Sequence, residues 1–373
     1  MLLASFGPND ITSVVNVSIT DDNIVEDQEM FQLLLIVPSP AENVGITAGS
    51  PHVANAVILD NDVMHIRFDQ PLHKITEGDV AKVEIVSDHV AEVNISIIIQ
   101  ITSLTASVEN YYYNGTIVST LISGYKNISI SIATVDDNIV ELNEVLEVRI
   151  VDIIAVPGVS VLILEPNTTS IEITNNDETL VSLLSDQYST SEGDLLVLTV
   201  VLDKILSFSE TVYIRAITSN TSTSATADDY SSSIVAVNIS PGVWNTTVSL
   251  AITDDDLLEP TEYFNVSLML PSLLLNKSIS LGNISTAIVT VTDNDVTFVS
   301  LSTNAYFVHE NDYQVTILMT SSSISSTRFV VELNIREGSA TASDFAATNI
   351  IPIKFEANVT VVAVNITINL VSI

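Results

Sequence analysis

An acidic segment that returns twice at nearly constant distance constrains this chain more than any other feature. Asp21-Asp22-Asn23-Ile24-Val25-Glu26 recurs as Asp136-Asp137-Asn138-Ile139-Val140-Glu141 and as Asp254-Asp255-Asp256-Leu257-Leu258-Glu259, at spacings of 115 and 118 residues. Three further markers keep the same order around it. Leu59-Asp60-Asn61-Asp62 returns as Thr174-Asn175-Asn176-Asp177 and Thr292-Asp293-Asn294-Asp295. Thr76-Glu77-Gly78-Asp79 returns as Ser191-Glu192-Gly193-Asp194 and His309-Glu310-Asn311-Asp312. Ser224-Ala225-Thr226-Ala227-Asp228-Asp229-Tyr230 is echoed by Ser339-Ala340-Thr341-Ala342-Ser343-Asp344-Phe345. A fixed period means one structural unit repeated in tandem. The markers set whole units at residues 63–177 and 178–295, the back part of a unit at 1–62, and the front part of one at 296–373.

A unit of this length can bury its own core. Apolar residues alternate with polar ones, as in Val248, Leu250 and Ile252 against Ser249 and Thr253, which is the period of half-buried strands. Apolar residues make up 47% of the chain, but the longest uncharged apolar run, Ile153 to Leu164, is broken by Pro157 and Gly158. It falls short of the roughly 20 residues a membrane-spanning helix needs. In 178–295 seven strands are expected, near 180–184, 195–202, 211–217, 234–239, 246–252, 263–270 and 286–292. The expected fold is all-β: tandem immunoglobulin-like, seven-stranded antiparallel sandwiches.

If consecutive strands alternate in direction, the first, third, fifth and seventh all finish at one pole. Glu192 and Asp194, Asp228 and Asp229, Asp254, Asp255, Asp256, Glu259 and Glu262, and Asp293 with Asp295 follow those strands, so four remote segments deliver carboxylates to one tip. Each close carboxylate pair costs about 1 to 4 kcal/mol, depending on the effective dielectric. No Lys or Arg lies in the acidic loops or closing triplets, so the chain is expected to carry no counter-ion there. Solvated turns use the same residue types. Recurrence of paired acids at matched offsets instead favours an external cation, and oxygen donors without His or Cys suit Ca²⁺. The twelve-residue loop of an EF-hand is missing.

These four motifs in this order resemble the Calx-beta repeat family, over virtually the whole chain. Such repeats occur in sodium/calcium exchangers, integrins, matrix proteins and very large adhesion receptors. The resemblance implies calcium ligands at Glu192, Asp229, Asp254, Asp255, Glu259, Asp293 and Asp295. In 63–177 it implies Glu77, Asp136, Asp137, Glu141 and Asp177, a weakened site in which Tyr111-Tyr112-Tyr113 stands where the Asp-Tyr turn belongs. In 1–62 it implies Asp21, Asp22, Glu26, Asp60 and Asp62. The last fragment keeps Glu310 and Asp344 but lacks an acidic loop before Leu370-Val371-Ser372-Ile373, and is expected to bind nothing alone.

Charge and composition narrow the partners. Lys+Arg is 11 against Asp+Glu 46, a net charge of -35, which excludes the electrostatic footprint of a nucleic-acid binder. Cys is absent, so no disulfide or thiolate site can form. Thirteen Asn-x-Ser/Thr sequons stand at Asn16, Asn94, Asn114, Asn127, Asn167, Asn220, Asn238, Asn245, Asn265, Asn276, Asn283, Asn358 and Asn365. Chance would supply about six. Asn16, Asn94 and Asn265 each sit between two apolar residues, an outward strand position from which a glycan could project. Met1 to Ala4 is followed by Phe6-Gly7-Pro8 without the pattern of a signal peptide, and the chain reads as a fragment.

The leading expectation is an extracellular, glycosylated cell-surface or matrix segment. It would serve cell adhesion or communication, with Ca²⁺ stiffening the contacts between neighbouring repeats and an adhesive protein as partner. The alternative is an intracellular calcium sensor of an exchanger. Catalysis is not expected: nucleophile and phosphate-loop motifs are missing, His52, His65, His73, His89 and His309 form no ligand spacing, and Trp244 reads as a packing residue.

Overall fold

The computed structural model describes residues 2–37, 45–113, 115–218, 223–231, 233–271, 278–346 and 350–369. Two compact units result: 1–137 with 142–176, and 138–141 with 177–373. Asn114, Asn220, Asn276 and the terminal 370–373 lie outside the described residues.

In the first unit, β1 (Ile24–Val25) precedes β2 (Glu29–Leu34) and β3 (Val53–Ile58), which pair antiparallel. Then comes a sandwich of β4 (Val63–Phe68), β5 (Leu72–Thr76), β6 (Val80–Ser87), β7 (Val90–Ala91), β8 (Ile95–Ser103), β9 (Gly115–Leu121), β10 (Asn127–Ala133), β11 (Glu144–Ile154), β12 (Ser160–Ile163) and β13 (Thr168–Thr174). One sheet runs β10-β6-β4-β12 and the other β5-β13-β11-β8-β9. The period of two decides what is inside. On β8, Ile95, Ile97, Ile99 and Ile101 share one face and are all buried, against Met64, Ile66 and Phe68 of β4 in the same core.

The second unit repeats the plan with β14 (Thr179–Leu183), β15 (Gln187–Ser191), β16 (Leu195–Leu202), β17 (Glu210–Thr218), β18 (Val235–Ile239), β19 (Asn245–Ala251), β20 (Glu262–Met269), β21 (Ile279–Leu281) and β22 (Thr286–Thr292). Its sheets run β19-β16-β14-β21 and β15-β22-β20-β17-β18. Tyr230 stacks on Phe264 at 4.2 Å in its core. Six further strands follow: β23 (Val299–Leu301), β24 (Gln314–Ser321), β25 (Phe329–Asn334), β26 (Phe345–Ala346), β27 (Ile350–Phe355) and β28 (Val361–Ile368). Among the described residues, Met319, Ile353 and Phe355 form the buried cluster there.

The tandem all-β sandwich follows the sequence pattern, but three details differ. Among the described residues the β14–β22 sandwich has nine strands rather than seven. The first expected strand is β14; β15, not expected, crosses to the other sheet to pair in parallel with β22, while β21, also not expected, adds in parallel to β14. Both are short edge strands: β15 carries the polar side chains Gln187-Tyr188-Ser189-Thr190-Ser191, and β21 is only three residues long, so neither shows a readable apolar alternation. Strict alternation of direction therefore fails at the edges. The polar convergence survives it, because parallel pairing of Ser191 with Thr292 sets Glu192 beside Asp293. Residues 11–20 form no strand, so Asn16 is exposed without the expected strand position. Trp244 is 56% exposed, contrary to a packing role: it follows the tight turn at Gly242 on the outer surface.

One further feature has no counterpart in the expected fold. The apolar residue of each acidic loop adds a parallel bridge to the sandwich that follows it in the chain. Ile24 and Val25 pair with Val90 and Ala91, Val140 with Leu206, and Leu258 with Ser325. Val25 and Val140 are each 0% exposed, the former in the core with Ile95 and the latter in the core with Leu206. Fully burying a Val side chain contributes roughly 1.5 to 3 kcal/mol. Residues 138–141 thereby belong to the second unit although 142–176 belong to the first.

Candidate divalent-cation site

Two carboxylate clusters form at one tip of the β14–β22 sandwich. Glu192, Asp255 and Asp295 offer oxygens within 4.8 Å of one another, as do Asp229, Glu259 and Glu262. The scaffold is backbone turns. Glu192 follows β15 and is only 8% exposed. Gly193 comes next with φ +73, a left-handed position that glycine adopts without strain. A Cβ there would lie 3.1 Å from Asp254 Oδ1, so the Glu-Gly pair is what lets the acidic loop approach.

Asp293 spends both oxygens on backbone: Oδ2 accepts from Glu259 N at 2.8 Å and Oδ1 from Asp295 N at 2.9 Å. Asp255 Oδ1 accepts from Leu257 N at 2.7 Å, turning the loop. Asn294, the middle residue of the closing triplet, donates from Nδ2 to Asp254 Oδ1 and to the Glu192 carbonyl, both at 3.1 Å. The ligand set read from sequence omits this clamp. Its recurrence as Asn61, Asn176 and Asn294 was the available signal.

Like charge dominates the electrostatics at this tip. Burial, reinforced by Asp293, Asp255, Glu259 and Asp295, pushes Glu192 up to about 7. Burial, then Asp229 and Glu259, pushes Glu262 up to about 7 as well. Burial followed by neighbouring acids also raises Glu259 and Asp295. Glu192 Oε2 and Asp295 Oδ2 are buried and accept no hydrogen bond. Orphaned buried carboxylate oxygens aimed into an all-oxygen cluster fit a hard cation of six to eight oxygen ligands. Glu262, expected at this tip, was not among the ligands the resemblance implied, although its matched offset in every acidic segment marks it.

The β4–β13 sandwich holds the same residues differently. Within the first unit, Glu77, 6% exposed, accepts from Asn176 N at 2.6 Å, and Asn176 Nδ2 donates to Asp136 Oδ1 at 3.1 Å. Gly78 has φ +81, and a Cβ there would lie 2.9 Å from Asp136 Cβ. Asp137 is half-buried in the same unit. The turn expected to be lost at Tyr111-Tyr112-Tyr113 is present, with Tyr111 as its aromatic. Tyr111 bridges Thr134 as Tyr230 bridges Ile252, so Thr105-Ala106-Ser107-Val108-Glu109-Asn110-Tyr111 matches 224–230 and Asn110 stands in the place of Asp229. Asn110 Nδ2 donates to Glu144 Oε2 at 2.6 Å, relieving the carboxyl that burial raises.

In the second unit, Glu141 is half-buried in the inserted 138–141 segment, and Asp177 is 5% exposed. Asp177 Oδ1 lies 2.6 Å from Lys204 Nζ. The expectation that the chain brings no counter-ion to these tips is corrected here. The lysine comes from the turn after β16, remote in sequence, which is why local composition of the acidic segments concealed it.

In the first fragment, Asp60 repeats the role of Asp293: Oδ2 accepts from Glu26 N at 3.0 Å and Oδ1 from Asp62 N at 3.1 Å. Asp22 Oδ1 accepts from Ile24 N at 2.8 Å, and Asp21 is exposed beside it. Burial and then Asp22 raise Glu26; burial and then Asp60 raise Asp62. In the last fragment Glu310 sits exposed in a 3-10 turn, and Asp344 Oδ2 accepts from its own turn at Thr341 N, 2.7 Å.

The Calx-beta domain model matches this chain four times, at residues 2–62, 60–177, 174–295 and 292–372. Among solved structures, the CBD12 of CALX1.2 is 16% identical over 60% of this chain and 99% of its own, with a TM-score of 0.28. The calcium binding domain CBD12 of CALX1.1 is 16% identical over 60% and 98%, also at 0.28. The apo-form Calx CBD1 domain is 20% identical over 32% and 100%, again at 0.28. No match was found among curated proteins. Four successive matches that together span almost every residue establish that this chain belongs to the Calx-beta family, as a tandem array of its domains.

Proposed function

We propose that the chain is a calcium-binding, non-catalytic array of Calx-beta domains, divided at 62/63, 177/178 and 295/296, from an extracellular cell-surface or matrix protein serving adhesion or cell communication. The observation that carries the calcium reading is the pair of buried, unpartnered oxygens, Glu192 Oε2 and Asp295 Oδ2, inside a cluster of like charge. Glu192, Asp255 and Asp295 would hold one ion, and Asp229, Glu259 and Glu262 another. Asp254 and Asp293, each tied to the scaffold, position the loop. Bound calcium cancels the repulsion that raises these groups and holds the acidic loop taut against the next sandwich, through Leu258 and Ser325.

The outward setting of the sequons supports the extracellular reading: none of the ten described sequon asparagines is buried. An adhesive partner would read the outer faces. Among the described residues no helix is long and apolar enough to cross a membrane.

Calorimetric titration of the full chain with Ca²⁺ tests the first claim. Uptake with dissociation constants of roughly 0.1 to 1 mM is expected, as for extracellular modules. The double change Asp254→Asn with Asp255→Asn should abolish the tighter phase; an unchanged isotherm rejects the assignment. Glycosidase treatment of natural material should lower its apparent mass, and no shift would favour an intracellular sensor instead.

A further inference from the structure

One position in the turn after the second long strand of each sandwich varies in a way that bears on the preceding tip. The positions align by a shared bond: His65 N donates to Asp88 Oδ1 at 2.7 Å, Leu180 N to Asp203 Oδ1 at 2.6 Å, and Phe298 N to Ser322 Oγ at 2.8 Å. Glu92 N, Ser207 N and Ser326 N then donate to Val25 O, Val140 O and Leu258 O, which confirms the register. The residue following the first anchor is therefore His89, Lys204 and Ser323 in turn.

We infer that this position sets whether the closing aspartate of the preceding repeat requires an outside cation: Lys204 supplies a built-in one to Asp177, whereas Ser323 leaves Asp295 to a divalent ion. The inference rests on the calcium reading above for its second half only. Lys204 Nζ stands 2.6 Å from a carboxylate that is 5% exposed, an ion pair largely removed from water. At the matching place a serine hydroxyl brings no charge. There Ser323 Oγ and Asp295 Oδ2 are both buried and without a hydrogen-bond partner. An ammonium and a calcium ion neutralise the same carboxylate and so exclude one another. A tandem array can thus hold tips that respond to calcium beside tips that do not, by exchange of one residue.

The full chain carrying Lys204→Ser, and separately Ser323→Lys, tests this by calcium calorimetry and by melting in chelator. Lys204→Ser should add a calcium-binding phase or tighten the weakest one about tenfold, and Ser323→Lys should weaken the tightest by about tenfold, as expected on removing or adding a unit charge beside a bound ion. In chelator, Lys204→Ser should lower the melting temperature and Ser323→Lys should raise it. If wild-type chain takes up no calcium but the two melting shifts appear, the calcium reading fails and the built-in counter-ion stands. Isotherms and melting curves unchanged in both variants overturn the inference.

Discussion

The β4–β13 and β14–β22 sandwiches share strand order, core pattern and the Glu-Gly, Asp-Asp and closing-triplet motifs, yet their tips differ in charge balance. In the former, Asn110 donates to Glu144, and the closing aspartate of that repeat, Asp177, is neutralised within the second unit by Lys204. Around the latter, Asp229 faces Glu259 and Glu262, and Asp295 has no such lysine. The raised carboxyls gather accordingly: Glu192, Glu259, Glu262 and Asp295 in one, Glu144 in the other. What separates them is not how many acids a tip holds but whether the chain supplies a donor opposite each. A motif count scores both alike.

The largest expected effect probes what the two tips share. Gly78→Ala should destabilise the chain by about 3 kcal/mol, since it adds left-handed strain to a contact with Asp136 Cβ that cannot rotate away. Gly193→Ala meets the movable tip of Asp254 and should cost about 1 kcal/mol less. Urea unfolding compares them, and equal losses would mean that the close approach contributes nothing.

A smaller effect is expected from exchanging the residues that differ. Asp229→Asn should weaken calcium binding about tenfold, or about 1.4 kcal/mol, and Asn110→Asp should create a new weak phase. Indifference of binding to Asp229→Asn would place the ion elsewhere.

The smallest effect is the dependence on pH. Glu192 and Glu262 stand near 7 in the folded chain and near 4.5 when unfolded. A carboxyl raised on folding stabilises fully below its unfolded value and loses that contribution as pH climbs through the folded one. Without calcium, the β14–β22 sandwich should therefore melt a few degrees higher at pH 5 than at pH 8. Hydrogen exchange resolved by sandwich should show a flatter profile for β4–β13, where Glu144 is relieved by Asn110. A steeper one there would break the comparison.

Much of this was legible in residues alone. Alternation along β8 or β16 reports a strand with one buried face, and the recurring acids report a shared tip. Three things were not legible, each because its cause is remote. β15 pairs through backbone and leaves no apolar alternation. That Tyr111, among the three adjacent tyrosines, closes an intact turn needs the Ala106 match to Ala225, which the tyrosine run masks. Lys204 acts on a carboxylate 27 positions away, a distance no local window spans.

The inserted loop residue changes what a severed domain would be. Val140 fills the interior beside Leu206, yet it precedes Thr179 by nearly forty positions along the chain. A protein cut out at 178 would leave with a hole where that methyl pair belongs, and the piece left behind would trail a bare apolar hook. A member of the array thus takes part of its core from the segment that precedes it in sequence, so the smallest cleanly excisable length is longer than one period.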